Sequence, residues 1–169
     1  RIQRTGLPAA GPSGPTTREW NQRFAMHNHF LILGGAGLVG LQVCRHISSS
    51  LRPRRIVCAS LTESEATAAC QTLEAEFGDA IAFVPAWGNL FVPAALANTP
   101  RREILKNPAL RARLLEALYD DFDRACQANH LVQLIRRHRP DVIVDSVNTA
   151  TGLSYQDIFD GAARVREWI

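Results

Sequence analysis

No apolar run in this 169-residue chain approaches the roughly 18–20 residues that a bilayer crossing requires. A transmembrane protein is therefore not expected. The longest candidates, around Phe30–Leu33 and Val142–Val144, have the length of buried strands. Cysteine is present at four positions (Cys44, Cys58, Cys70, Cys126), but without any C-x-x-C pair. They read as small buried hydrophobes in a reducing compartment, which points to the cytoplasm. Methionine occurs once, at Met26, and lysine once, at Lys106, against eighteen arginines. The scarcity of lysine removes a phosphate-binding P-loop, because the only glycine-rich stretch continues with Leu41 and Gln42 where that motif needs Lys and Ser or Thr. Net charge is +3, yet all of it sits in residues 1–25, and the remaining chain balances fifteen basic against fifteen acidic residues. A basic nucleic-acid surface is thus not expected on the folded part.

Residues 1–25, rich in Pro, Gly, Thr and Arg, lack both an apolar period and the hydrophobic segment of a secretory signal. They read as a disordered leader or a non-native extension, with Met26 as the natural start. Beyond it, strand and helix patterns alternate. Strands are expected at 29–33, 55–60, 80–84 and 141–146. Helices are expected at 38–49, with Val39, Val43 and Ile47 facing a sheet, and at 62–77, opened by a Thr62/Glu65 capping box. This alternation predicts an α/β fold, a doubly wound parallel sheet of Rossmann type, occupying residues 26–169. Residues 91–140 interrupt the rhythm with two expected helices, 101–119 and 121–137, read as a helical insertion between strands three and four. A last helix, 154–169, keeps its apolar stripe to Ile169 without a stop signal, so the sheet is expected to be truncated after about four strands, as in a piece of a longer protein.

Against these absences stands one concentration. "ILGGAGLVG" (32–40) packs four glycines where the first strand turns into the first helix. At such a junction the unpaired N–H groups of the helix start and the positive end of its dipole bind a pyrophosphate. Glycine permits the tight turn and lets phosphate approach the main chain, and Gly40 lets the helix pack closely on the strand. Gly35, Gly37 and Gly40 satisfy G-x-G-x-x-G, while Gly34, Gly37 and Gly40 satisfy G-x-x-G-x-x-G. Gly34, Gly37, Leu38, Val39 and Gly40 are the expected phosphate-binding residues, and Ser60, at the end of strand two, is expected near the ribose. No acid stands there to hold a 2′-hydroxyl, which leans towards NADP, but no arginine follows to grip a 2′-phosphate either. The cofactor is left as NAD or NADP.

The glycine run resembles the nucleotide-binding signature of extended short-chain dehydrogenases/reductases, the NAD-dependent epimerase/dehydratase group. "WGNL" (87–90) lies where that family carries a Gly-Asp-hydrophobic step, with Asn89 in place of the acid that contacts adenine. "RPDVIVDSVNTA" (139–150) is similar to the segment ending strand four. The resemblance implies cofactor contacts from Asn89, Leu90, Asn148, Thr149 and Ala150. It also implies an oxidoreductase or epimerase transferring hydride at a hydroxyl- or carbonyl-bearing carbon of a sugar nucleotide or small metabolite, and is compatible with a homodimer. The family's Tyr-x-x-x-Lys pair does not occur: Tyr119 is followed by Asp123 and Tyr155 by Phe159. No catalytic residue is assigned. Ser146 reads as a cofactor-edge or capping residue. His27 and His29 lack the further ligands of a metal site. A non-catalytic NAD(P)-binding sensor or scaffold and a saccharopine-dehydrogenase-like Rossmann enzyme stay open as alternatives.

Overall fold

Short strands buried on both faces read as nearly continuous apolar runs, and the two central strands of the four-stranded sheet are of this kind. The computed structural model describes residues 27–119 and 121–147. Strands β1 (His29–Leu33), β2 (Arg55–Ser60), β3 (Ala82–Trp87) and β4 (Val142–Asp145) pair in the order β3-β2-β1-β4, all parallel. The chain is thus a doubly wound α/β protein of Rossmann type. Successive residues of each strand point to opposite faces. Phe30, Ile32, Ile56, Cys58 and Phe83 meet helices α1 (Leu38–Leu51) and α2 (Glu63–Phe77) through Cys44, Ile47, Cys70 and Leu73. Leu31, Leu33, Val57 and Ala59 form the other face and receive Leu134.

Several expected boundaries and faces shift. Strand β3 begins two residues later than its apolar run and continues through Pro85 to Trp87, while Gly78–Ala80 forms a 3₁₀ turn. Proline is tolerated because β3 is an edge strand and needs no N–H there. Helix α1 buries Gly40, Cys44, Ile47 and Ser48, not a stripe through Val39, which is 65 % exposed. The small residues let the helix lie close to the sheet, and that rotates Val39 outward. The two long helices expected after residue 100 are four: α3 (Arg101–Lys106), α4 (Pro108–Tyr119), α5 (Phe122–Ala128) and α6 (His130–His138). Asn107 and Asn129 break them, and Asp121 opens α5 at the expected gap, each accepting hydrogen bonds from N–H groups of the following turn. Helix α6, carrying Leu134, covers the second face as an ordinary crossover element, while Val92, Leu96 and Ala97 bury Ile104 of α3 in a separate small cluster.

Cys44, Cys58 and Cys70 are buried and free, and Cys126 is half-buried. The Cys44 and Cys58 sulfurs lie 3.8 Å apart. Hydrogen bonding to Cys44 and Cys70, followed by burial, raises the pKa of Cys58, so it packs as a neutral thiol. Among the described residues no helix is long and apolar enough to cross a membrane.

Two features away from the sheet's carboxyl ends carry stability expectations. The Asp141 carboxylate accepts the N–H groups of Asn28 (2.8 Å) and His29 (2.9 Å), which tie β1 to β4 at their amino ends and hold its pKa below the usual range. A lowered folded-state pKa gives stability that is present above the unfolded value of about 3.9 and is lost as pH falls through the folded value. Asp141→Asn should therefore lower the urea midpoint at pH 7. The gap from the parent should close as both are acidified below that range. Arg52 and Arg139, which follow α1 and α6, adopt left-handed backbone with φ of 48° and 42°. A left-handed conformation costs an L-residue roughly 1–2 kcal/mol, partly offset for glycine by its greater unfolded-state entropy. Arg52→Gly should stabilise the chain by about 0.5–1 kcal/mol in chemical denaturation.

Candidate functional site

The strand order reverses between β1 and β4, because one neighbour of β1 is reached by moving up the chain through β2 and the other only through β4. In an open parallel sheet the crevice at the carboxyl end of such a switch point is where ligands bind. The glycine loop opens into this crevice. Gly34, at φ +75°, makes the sharp exit from β1, and a side chain there would meet the Ser146 backbone at 3.2 Å. Gly35 donates its N–H to Ala59 at 2.9 Å and lies so close to β2 that a Cβ would stand 3.1 Å from the Cys58 Cα. The loop is thereby clamped to β2 and closed on itself by the Gly37 N–H bonding Gly34 at 2.9 Å.

Helix α1 then begins without the usual protection. Gly37 is its N-cap and offers no side-chain acceptor, and the first turn holds no acidic residue. Helix α2 is the contrast: Thr62 and Glu65 form a complete capping box, with Glu63 and Glu65 in the first turn. Uncapped N–H groups beside a positive dipole end are suited to a bound anion. Leu38 and Val39, 88 % and 65 % exposed, occupy this first turn.

A cleft of about 250 Å³ lies in front of the loop. Gly34, Gly37, Ser60, Asn89 and Leu90 line it, so five of the residues expected at the site meet there. Leu38, Val39 and Gly40 do not line it. Gly40 serves the close packing expected of it, since a Cβ there would fall 2.1 Å from the Gly34 carbonyl oxygen. Asn148, Thr149 and Ala150 lie outside the described residues, as do residues 1–25, Tyr155 and the expected last helix. The lining also includes Leu61, Gly88, Phe91, Ser146 and Val147. Of these, Gly88 stood in "WGNL", and its φ of +121° marks the turn that leaves β3. Leu61 and Phe91 carry no sequence signal for a site, because only the fold brings them to the strand ends.

Each wall of the cleft is held by identifiable bonds. Ser146 Oγ donates to the Leu33 carbonyl at 2.6 Å, joining β4 to β1 at the crevice. The loop after β3 is fixed by the Gly88 N–H to Ser60 at 3.1 Å and the Asn89 N–H to Ala97 at 2.8 Å. His130 Nε2 lies 2.9 Å from the Trp87 carbonyl oxygen. The Asn89 Oδ1 accepts the Phe91 N–H at 3.0 Å, which orients its carboxamide while leaving one lone pair and the amino group for a ligand. Another cleft, of about 280 Å³, lies against Pro93–Leu96 and helices α4 and α5, away from the sheet. Its Arg124 and Glu116 face each other at 3.7 Å, so charge there is internally matched. The crevice at the strand ends is the stronger candidate. Among the described residues no group of three or more His, Cys, Asp or Glu could hold a metal ion.

Comparison of the chain with protein-family models, with curated proteins and with solved structures finds no match. The functional reading therefore stands on the sheet order, the glycine loop and the cleft.

Proposed function

We propose that this chain is the dinucleotide-binding part of an NAD(P)-dependent oxidoreductase or epimerase. The observation that carries the reading is the uncapped, acid-free start of α1 behind a glycine loop, at the switch point of a parallel sheet. A pyrophosphate there accepts hydrogen bonds from the first N–H groups of α1 and gains from the helix dipole. Gly34 and Gly37 keep side chains out of its path. Asn89 and Leu90 would face the adenine half: the Asn89 amide offers donors, and Leu90 offers an apolar surface. The Ser60 hydroxyl stands at the end of β2, where the adenosine ribose rests in this fold. The nicotinamide would accept hydride from a hydroxyl-bearing carbon, or deliver it to a carbonyl carbon, of a small metabolite or sugar nucleotide.

Titration of the chain with NADH and with NADPH, followed by calorimetry, tests the proposal. Saturable binding of either, in competition with ADP, is the expected outcome. A folded chain that binds neither would reduce the glycine run to a structural turn.

A further inference from the structure

The glycine loop recognises a pyrophosphate and is indifferent to what decorates the ribose. That choice is made at the end of β2, by an acid that sequence spacing does not place there. Ser60 is uncharged, and no acid follows it directly. Yet the Ser60 Oγ donates to Glu65 Oε2 at 2.8 Å, and the same oxygen takes the Thr62 N–H at 3.3 Å. Glu65 comes from the first turn of α2, one helical turn beyond the strand end. These donors hold it ionised, with its pKa lowered first by Ser60 and then by Thr62.

The consequence for the cleft follows from proton counting. A serine hydroxyl has one proton and two lone pairs. With its proton committed to Glu65, the Ser60 oxygen can only accept from the cleft side. A ribose 2′-hydroxyl is a donor and satisfies it. A 2′-phosphate is an acceptor bearing close to two negative charges, and it would face both that lone pair and the carboxylate behind it. Among the described residues none that lines the cleft is basic, so none of them offsets this charge. Among the described ion pairs, none brings an arginine to Glu65.

We infer that the Ser60–Glu65 pair makes the cleft selective for a dinucleotide with a free adenosine 2′-hydroxyl, NAD(H) over NADP(H). This rests on the dinucleotide reading above and reverses the lean towards NADP that the missing acid produces in the sequence.

The test is calorimetric titration of the chain with NADH and NADPH, for the parent and two variants. The parent should bind NADH at least about tenfold more tightly. Glu65→Gln retains a residue able to complete the capping box, so the helix start persists while the charge is gone. Its preference should fall about tenfold. Leu61→Arg places a cation at the cleft on a side chain that is 65 % exposed, and should raise the affinity for NADPH relative to NADH. Equal or tighter NADPH binding by the parent would overturn the selectivity and leave the dinucleotide reading intact. So would an unchanged ratio in Glu65→Gln. Binding of neither nucleotide by folded parent would overturn the dinucleotide reading itself, and the selectivity with it.

Discussion

Gly40→Ala is expected to destabilise the chain by about 3 kcal/mol or more, the upper range for overpacking a tight site. The added Cβ would lie 2.1 Å from the Gly34 oxygen and 2.7 Å from the Gly34 carbonyl carbon, inside any allowed contact. Both are backbone atoms, so no side-chain rotation relieves the clash. Either α1 lifts from the β1–α1 turn or the turn itself moves. Both routes strain the Gly37-to-Gly34 bond and the Gly35-to-Ala59 bond that clamp the loop. Against a typical domain stability of about 5–15 kcal/mol, that loss removes between about a fifth and about three-fifths of the total. Urea denaturation at 25 °C measures this directly. A loss under about 1 kcal/mol would mean that α1 can slide outward at little cost and that its close seating is not obligatory.

Gly37→Val should do the opposite: it should spare the fold and remove the ligand. A Cβ at Gly37 meets only the Gly34 oxygen, at 3.2 Å, and its backbone angles of −72° and 165° are ordinary for a β-branched residue. The expected stability cost is that of a poorer N-cap, about 1 kcal/mol or less. But the isopropyl group would project into the cleft, over the N–H groups proposed to hold the pyrophosphate. Loss of two hydrogen bonds to a charged acceptor, about 1.5–3 kcal/mol each, weakens NADH binding by more than about 100-fold. Calorimetry of the variant, alongside its melting curve, separates the two effects. Binding within a few-fold of the parent would remove the phosphate from the glycine loop. The two glycines thus divide the motif between them: one seats the helix and the other leaves room for a ligand.

The sheet was legible because its strands carry its signature. "HFLIL" and "RIVCAS" are apolar on both faces, as parallel strands covered by helices must be, and "DVIVDS" keeps the same β-branched run at the sheet edge. Strand β3 was misplaced because Pro85 reads as a breaker, and only its position at the sheet edge excuses it. The caps at Asn107 and Asn129 were present in the sequence but were outweighed by the helical period on either side of them, whereas the break before Asp121 was legible. The face of α1 was missed for a different reason. Val39, Val43, Ile47 and Gly40, Cys44, Ile47 are neighbouring stripes on one helix, and hydrophobicity favours the first. Close contact with the Gly34 backbone selects the second.

Residue order alone carries the α/β class, the glycine turn between strand and helix and the Thr62/Glu65 cap, because each depends on neighbours within a few residues. The strand order β3-β2-β1-β4, the meeting of Ser60, Asn89, Leu90 and Ser146 at one crevice, and the presentation of Glu65 at the end of β2 belong to the folded chain. They depend on which strand pairs with which and on how each helix is rotated against the sheet. Those are settled by burial across segments far apart in the chain, on which local spacing has no hold.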